Sequence, residues 1–92
     1  MKNSITETDF AEEIVSKLNS DSNIILYNDH HNTFDFVIET LVKVCKQDYL
    51  QAEQCAHLVH YKGKCAVKKG SFEILEPICI QLLSAGLTAE II

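Results

Sequence analysis

The chain has no arginine. All 8 of its basic residues are lysines, set against 13 acids for a net charge of −5. Arginine's planar fork is the side chain that grips phosphate bidentately, and an acidic chain repels the nucleic-acid backbone, so a nucleic-acid partner is not expected. Long apolar runs are missing too. The longest reach three or four residues, as in Ile24-Ile25-Leu26-Tyr27, far short of the ~20 that cross a bilayer, and no membrane contact is expected. The start, from Met1 to Glu13, carries one lysine and then acids with no apolar h-region, which argues against a secretory leader and points to the cytoplasm. Glycine and proline are scarce, 3 and 1 respectively, and 47% of residues are apolar, which excludes a low-complexity or disordered chain. The cysteines at 45, 55, 65 and 79 contain no C-x-x-C pair; in a reducing compartment they read as ordinary, partly buried thiols. Ninety-two residues make one domain. Folding at this size buries only about 60–65% of the unfolded surface, so the core is small.

Two regions differ in character. Residues 1–23 are polar and hold five of the thirteen acids. Phe10, Ile14 and Leu18 recur there at i, i+4, i+8, the spacing of an amphipathic helix. An isolated helix this short is marginal in water, and a flexible arm fits the composition equally well. The domain proper, residues 24–92, opens on the β-prone run Ile24 to Tyr27. A polar loop follows, Asn28-Asp29-His30-His31-Asn32-Thr33, rich in side chains that bond their own backbone in turns. Phe34, Val37, Leu41 and Val44 then lie on one helical stripe, with Asn32 or Thr33 as N-cap. Asp48 with Gln51 opens a second helix that stops near Gly63. Residues 64–69 read as an edge strand blunted by lysines. Ser71 caps a third helix, in which Pro77 predicts a kink. Gly86 ends it, and residues 88–92 form a last strand. The expected fold is α+β: a small β-α-α-β-α-β domain whose short antiparallel sheet is backed by helices.

Few residues suggest chemistry. His57 and His60 stand at i, i+3 and His30-His31 lies in a loop, but a zinc site needs three or four converging ligands. No metal or cofactor is expected. A cysteine nucleophile needs a histidine partner in an electropositive setting, whereas Cys45 and Cys55 fall on core-like helix faces and Cys79 lies between Ile78 and Ile80. No Gly-rich phosphate loop or G-x-S-x-G occurs, so an enzyme is not expected. The constellation that stands out is a polar loop after a buried strand, beside a helix start bearing Phe34 and Val37 and a helix end bearing Val59 and His60. An apolar floor with an acceptor rim suits a cation on an apolar stem. A protein's α-amino group is such a cation, with pKa about 7.7–8.0. Its three donors match an amide oxygen, a carboxylate and a neutral imidazole.

At these residues the sequence resembles the ClpS family of adaptors, which bring N-degron substrates to the ClpA or ClpC unfoldase of a AAA+ protease. The resemblance is carried by Ile25-Leu26-Tyr27-Asn28-Asp29, by Phe36-Val37-Ile38-Glu39, and by Val59-His60-Tyr61-Lys62-Gly63-Lys64, close to the family's V-H-x-x-G-K signature. It implies an adaptor without catalysis that binds free N-termini beginning with a large apolar residue. By that resemblance Asn28, Asp29 and His60 hold the α-amino group, and Val37, Ala56 and Val59 line the side-chain pocket, with Phe34 at its gate. Asn32 replaces a Thr that touches peptide backbone, Ile91 stands in for a pocket-closing Leu, and Glu73 contacts the N-domain of the unfoldase. The arm over 1–23 resembles the segment that the family threads toward that partner.

The departures are specific. The family's loop reads Asn-Asp-Asp, an aromatic, then Thr-Pro-Met; here it is Asn28-Asp29-His30-His31-Asn32-Thr33-Phe34. One carboxylate is lost, which weakens attraction for an ammonium by about 1–2 kcal/mol. The gate Met is Phe34, a wall Met is Ala56, and a Lys five residues beyond Glu73 is Ile78. A second expectation therefore stands beside the first: a module that docks on the unfoldase with a degenerate pocket. A His-rich zinc-binding domain is a third, weaker reading.

Overall fold

Ile24, Ile25 and Leu26 form the middle of the central strand of a three-stranded sheet. The computed structural model describes residues 21–92, and the Phe10, Ile14, Leu18 spacing and nearly all of the expected arm lie outside them. The elements run β1 (Ser22–Tyr27), α1 (Phe34–Cys45), α2 (Tyr49–Lys62), β2 (Lys64–Gly70), α3 (Phe72–Ser84) and β3 (Thr88–Ile91). The sheet order is β2-β1-β3 with both pairings antiparallel, the α+β architecture expected. β1 begins two residues ahead of the apolar run, because Ser22 and Asn23 pair with Gly70 and Lys69 and Asn23 exchanges backbone hydrogen bonds with Ile92.

Side chains alternate across a strand. Ile24 and Leu26 join the core with Ile38, Leu41, Ala52, Leu75 and Leu82, while Ile25 occupies the intervening position opposite Ala66 and Glu90. β2 carries one extra residue, Val67, between Lys68, the partner of Ile24, and Ala66, the partner of Ile25. A bulge of this kind frees a backbone group from the ladder. Here the Val67 carbonyl accepts from Gln47 Nε2 at 2.8 Å, which pairs the nitrogen of a glutamine only 6% exposed, while its Oε1 is buried with no partner among the described residues.

Local chemistry sets the helix ends. Thr33 Oγ1 accepts from the Phe36 amide at 3.0 Å to start α1, and Asp48 Oδ1 accepts from the Gln51 amide at 2.8 Å to start α2. Ser71 does the same for α3 at a longer 3.4 Å. α2 ends on Gly63 at φ 94°, and Gly86 follows α3 at φ 95°, both in the left-handed region that glycine enters without strain. Pro77 costs α3 one backbone bond, and the helix runs through it unbroken.

Candidate functional site

Where β1 ends, the chain must cross from sheet to helix without glycine or proline, and its own side chains fix the path. The Asn28 amide donates to the Gly63 carbonyl at 2.9 Å, which docks the start of the loop on the end of α2. Asp29 Oδ1 then accepts the amides of His31 at 2.9 Å and Asn32 at 3.1 Å, an Asx-type turn. The Asn32 amide nitrogen lies 3.0 Å from both Asp29 oxygens and 2.9 Å from the Gly86 carbonyl. Partial burial pushes the Asp29 carboxyl up, but the donors from His31 and Asn32, with the charge of His31, outweigh it and hold the pKa below its usual value.

Loop, α1 and α2 enclose a cavity of about 540 Å³. Its floor is apolar: Leu26, Val37, Ala56, Val59 and Leu87. Asn28, Asp29, His30, Asn32 and His60 contribute polar groups to the lining. Phe34 meets the His57 ring edge-on, with centroids 4.7 Å apart at 64°. His57 stacks on Tyr61, one turn further along α2, at 5.9 Å and 8°, and Tyr61 stands edge-on to His60 at 4.8 Å. Offset-stacked and edge-to-face contacts are the favourable ones for such rings, so Phe34 is held from the α2 side. Tyr27, also lining the cavity, donates its hydroxyl to Glu90 Oε2. That bond, followed by slight desolvation and the Glu90 charge, raises its pKa.

The structure thus gathers eight of the ten residues singled out from sequence around one cavity: Asn28, Asp29, Asn32 and His60 with Phe34, Val37, Ala56 and Val59. It leaves two outside. Ile91 pairs with Ile24 and packs on the core; β3 runs away from the cavity, and Leu87, just ahead of that strand, takes the lining position instead. Glu73 lies in the first turn of α3, beyond Gly70, which pairs with Ser22 at the far end of β1. That end is about 17 Å from the cavity end at ~3.3 Å per strand residue. Among the described residues no group of three or more His, Cys, Asp or Glu is placed to hold a metal ion, and no helix is long and apolar enough to cross a membrane. Burial pushes Cys45 up to about 11. Burial and a hydrogen bond with Cys55 push Cys65 up to about 12. Such thiols stay protonated at neutral pH.

A protein-family model described as "ATP-dependent Clp protease adaptor protein ClpS" matches residues 17–90, a span that includes the whole cavity. The chain belongs to the ClpS family. Two relatives named ATP-dependent Clp protease adapter protein ClpS show the same similarity. The one from Vibrio atlanticus (strain LGP32) is 39% identical over 54 residues, 59% of this chain and 51% of the relative. The one from Pectobacterium carotovorum subsp. carotovorum (strain PC1) is 35% identical over 60 residues, 65% of this chain and 57% of the relative. The chain therefore spans a little over half the length of the curated relatives it matches.

Within this ClpS-family fold, the lining residues missed from sequence are Leu26, Tyr27 and His30, which flank the candidates Asn28 and Asp29 along the chain, and His57, Tyr61 and Leu87. His57 and Tyr61 had a legible signal, since i, i+4 rings on a helix meet, yet His57 stood out only as a candidate metal ligand. Leu87 had none: the turn at Gly86 alone carries it to the cavity.

Proposed function

We propose that this ClpS-family chain is an adaptor that binds protein N-termini beginning with a large apolar residue and delivers them to a ClpA- or ClpC-type AAA+ unfoldase. The observation that carries the reading is the pairing of an apolar floor with acceptors from Asn28, Asp29 and His60 in one cavity. Burying one large side chain contributes about 1.5–3 kcal/mol, and each hydrogen bond to a charged group about as much again. After the cost of association, the sum suits a dissociation constant of roughly micromolar size. Glu73, exposed at the opposite end of the sheet, leaves the partner contact clear of the peptide site.

A second reading, an unfoldase-docking module whose pocket takes no peptide, draws support from Asp29. Its carboxylate already accepts three donors on Oδ1, and His30 adds no second acid beside it. The two readings part in one experiment. Fluorescence anisotropy at pH 7.5 compares a Phe-initiated peptide with its N-acetylated and Gly-initiated twins. Selective binding of the free Phe peptide is expected. Equal or absent binding of all three abandons the N-terminus reader and leaves docking on an isolated unfoldase N-domain as the function to measure.

A further inference from the structure

We infer that Asn32 is a positioning residue for the α-amino site, holding the Asp29 carboxylate and the cavity floor in register instead of touching the peptide itself. The inference rests on the adaptor reading of this cavity. An amide nitrogen carries two hydrogens. The nitrogen lies 3.0 Å from each oxygen of the Asp29 carboxylate and 2.9 Å from the Gly86 carbonyl, one donor to each group. Neither is left for a peptide carbonyl, so direct contact with the peptide would fall to the amide oxygen accepting a peptide N–H, the contact that an ester analogue removes. Asp29 Oδ1 is filled as well, by the backbone amides of His31 and Asn32 in addition to the Asn32 side chain. Among the described residues, Oδ2 meets only the Asn32 amide and, at 3.5 Å, the Thr88 hydroxyl. It is the oxygen with capacity for an ammonium, and Asn32 sets where it points.

The other end of the tie acts on the floor. Gly86 sits at φ 95° immediately before Leu87, which is 4% exposed and lines the cavity. A single side chain therefore joins the acceptor loop to the turn that seats a floor residue, across 54 positions of sequence. A residue that merely touched the peptide needs no bond to Gly86 and none to both oxygens of Asp29.

The test uses Asn32→Ala and Asp29→Ala, singly and combined. Each is titrated with a Phe-initiated peptide and with its analogue bearing an ester oxygen in place of the second residue's amide N–H. Asn32→Ala is expected to weaken binding about tenfold, the effect of losing roughly one charge-assisted hydrogen bond. The double variant is expected to bind more weakly than Asp29→Ala by well under tenfold, since the carboxylate route is already lost there and only the tie to Gly86 remains to be removed. The ester penalty is expected to be the same in wild type and Asn32→Ala. Penalties that multiply in the double variant, or an ester penalty that disappears in Asn32→Ala, assign Asn32 to the peptide and overturn the inference. Hydrogen exchange in the free protein supplies a readout without peptide: the His31 and Asn32 amides should exchange faster in Asn32→Ala, and unchanged exchange overturns the inference. Asn32→Asp, nearly isosteric, sets a second carboxylate against Asp29 and is expected to bind no better than Asn32→Ala. If wild type binds no Phe-initiated peptide, the adaptor reading fails first, and the exchange rates still decide whether Asn32 holds the loop.

Discussion

Asp29 concentrates the electrostatics of the site loop. Desolvation works against its charge, yet the donors from His31 and Asn32 prevail and lower its pKa. A carboxyl whose folded pKa lies below its unfolded value stabilises the fold while ionised. That contribution is complete above the unfolded pKa, about 3.9 for Asp, and is lost as pH falls through the lower folded value. The loop should therefore hold unchanged from pH 7 to about 5 and open only in stronger acid. A carbon-13 titration of the Asp29 carboxyl should show a midpoint below the ordinary one; a midpoint at or above it would mean that these bonds do not form in solution. The types of Asn28, Asp29 and His60, with their place after a strand and at a helix end, suggested only an acceptor rim; the resemblance to the ClpS family singled the three out. Their internal bonding was not legible, because the same turn residues bond backbone, neighbour or ligand according to geometry that spacing does not encode.

At the scale of elements, the chain announces its helices through their caps. Thr33, Asp48 and Ser71 each precede a helix in sequence and each accepts from an amide three residues on. Replacing such a residue by Ala costs about 1 kcal/mol, or about 4–8 °C in Tm for a domain of this size. Asp48→Ala should show that loss in a thermal melt followed by circular dichroism, and Ser71→Ala less, since its bond is the long one at 3.4 Å. Thr33→Ala should match Asp48→Ala in stability, and it alone of the three should also weaken peptide binding, because the turn it starts bears Phe34 and Val37. Equal Tm losses for all three would mean that cap geometry does not set their worth. What the sequence did not reveal at this scale is the bulge at Val67. Its requirement, a buried donor from Gln47, lies 20 residues away in the chain. The same distance effect misplaced the pocket wall by four residues, to Ile91 from Leu87: the antiparallel run of β3 decides which residue reaches the cavity, and composition does not.

For the whole molecule, most of the cavity floor is also hydrophobic core. Leu26 is 1% exposed and belongs to the core cluster, yet it lines the cavity, as do Ala56, Val59 and Leu87. A domain this small has a stability of about 5–15 kcal/mol, and deleting a buried leucine side chain costs about 2–5 kcal/mol. Cavity and fold therefore cannot be altered separately at Leu26, whereas Val37 only packs against the core's edge. The thiols report the difference. Cys45 is 1% exposed and burial pushes its pKa up to about 11, so at pH 8 an alkylating agent reaches its thiolate chiefly through opening of the fold. Leu26→Ala should raise the Cys45 alkylation rate by roughly thirtyfold or more, the factor that corresponds to about 2 kcal/mol. Val37→Ala should change peptide affinity while moving that rate much less. Labelling of Cys45 in Leu26→Ala at the wild-type rate would separate the floor from the core, and a pocket independent of the fold's stability would follow.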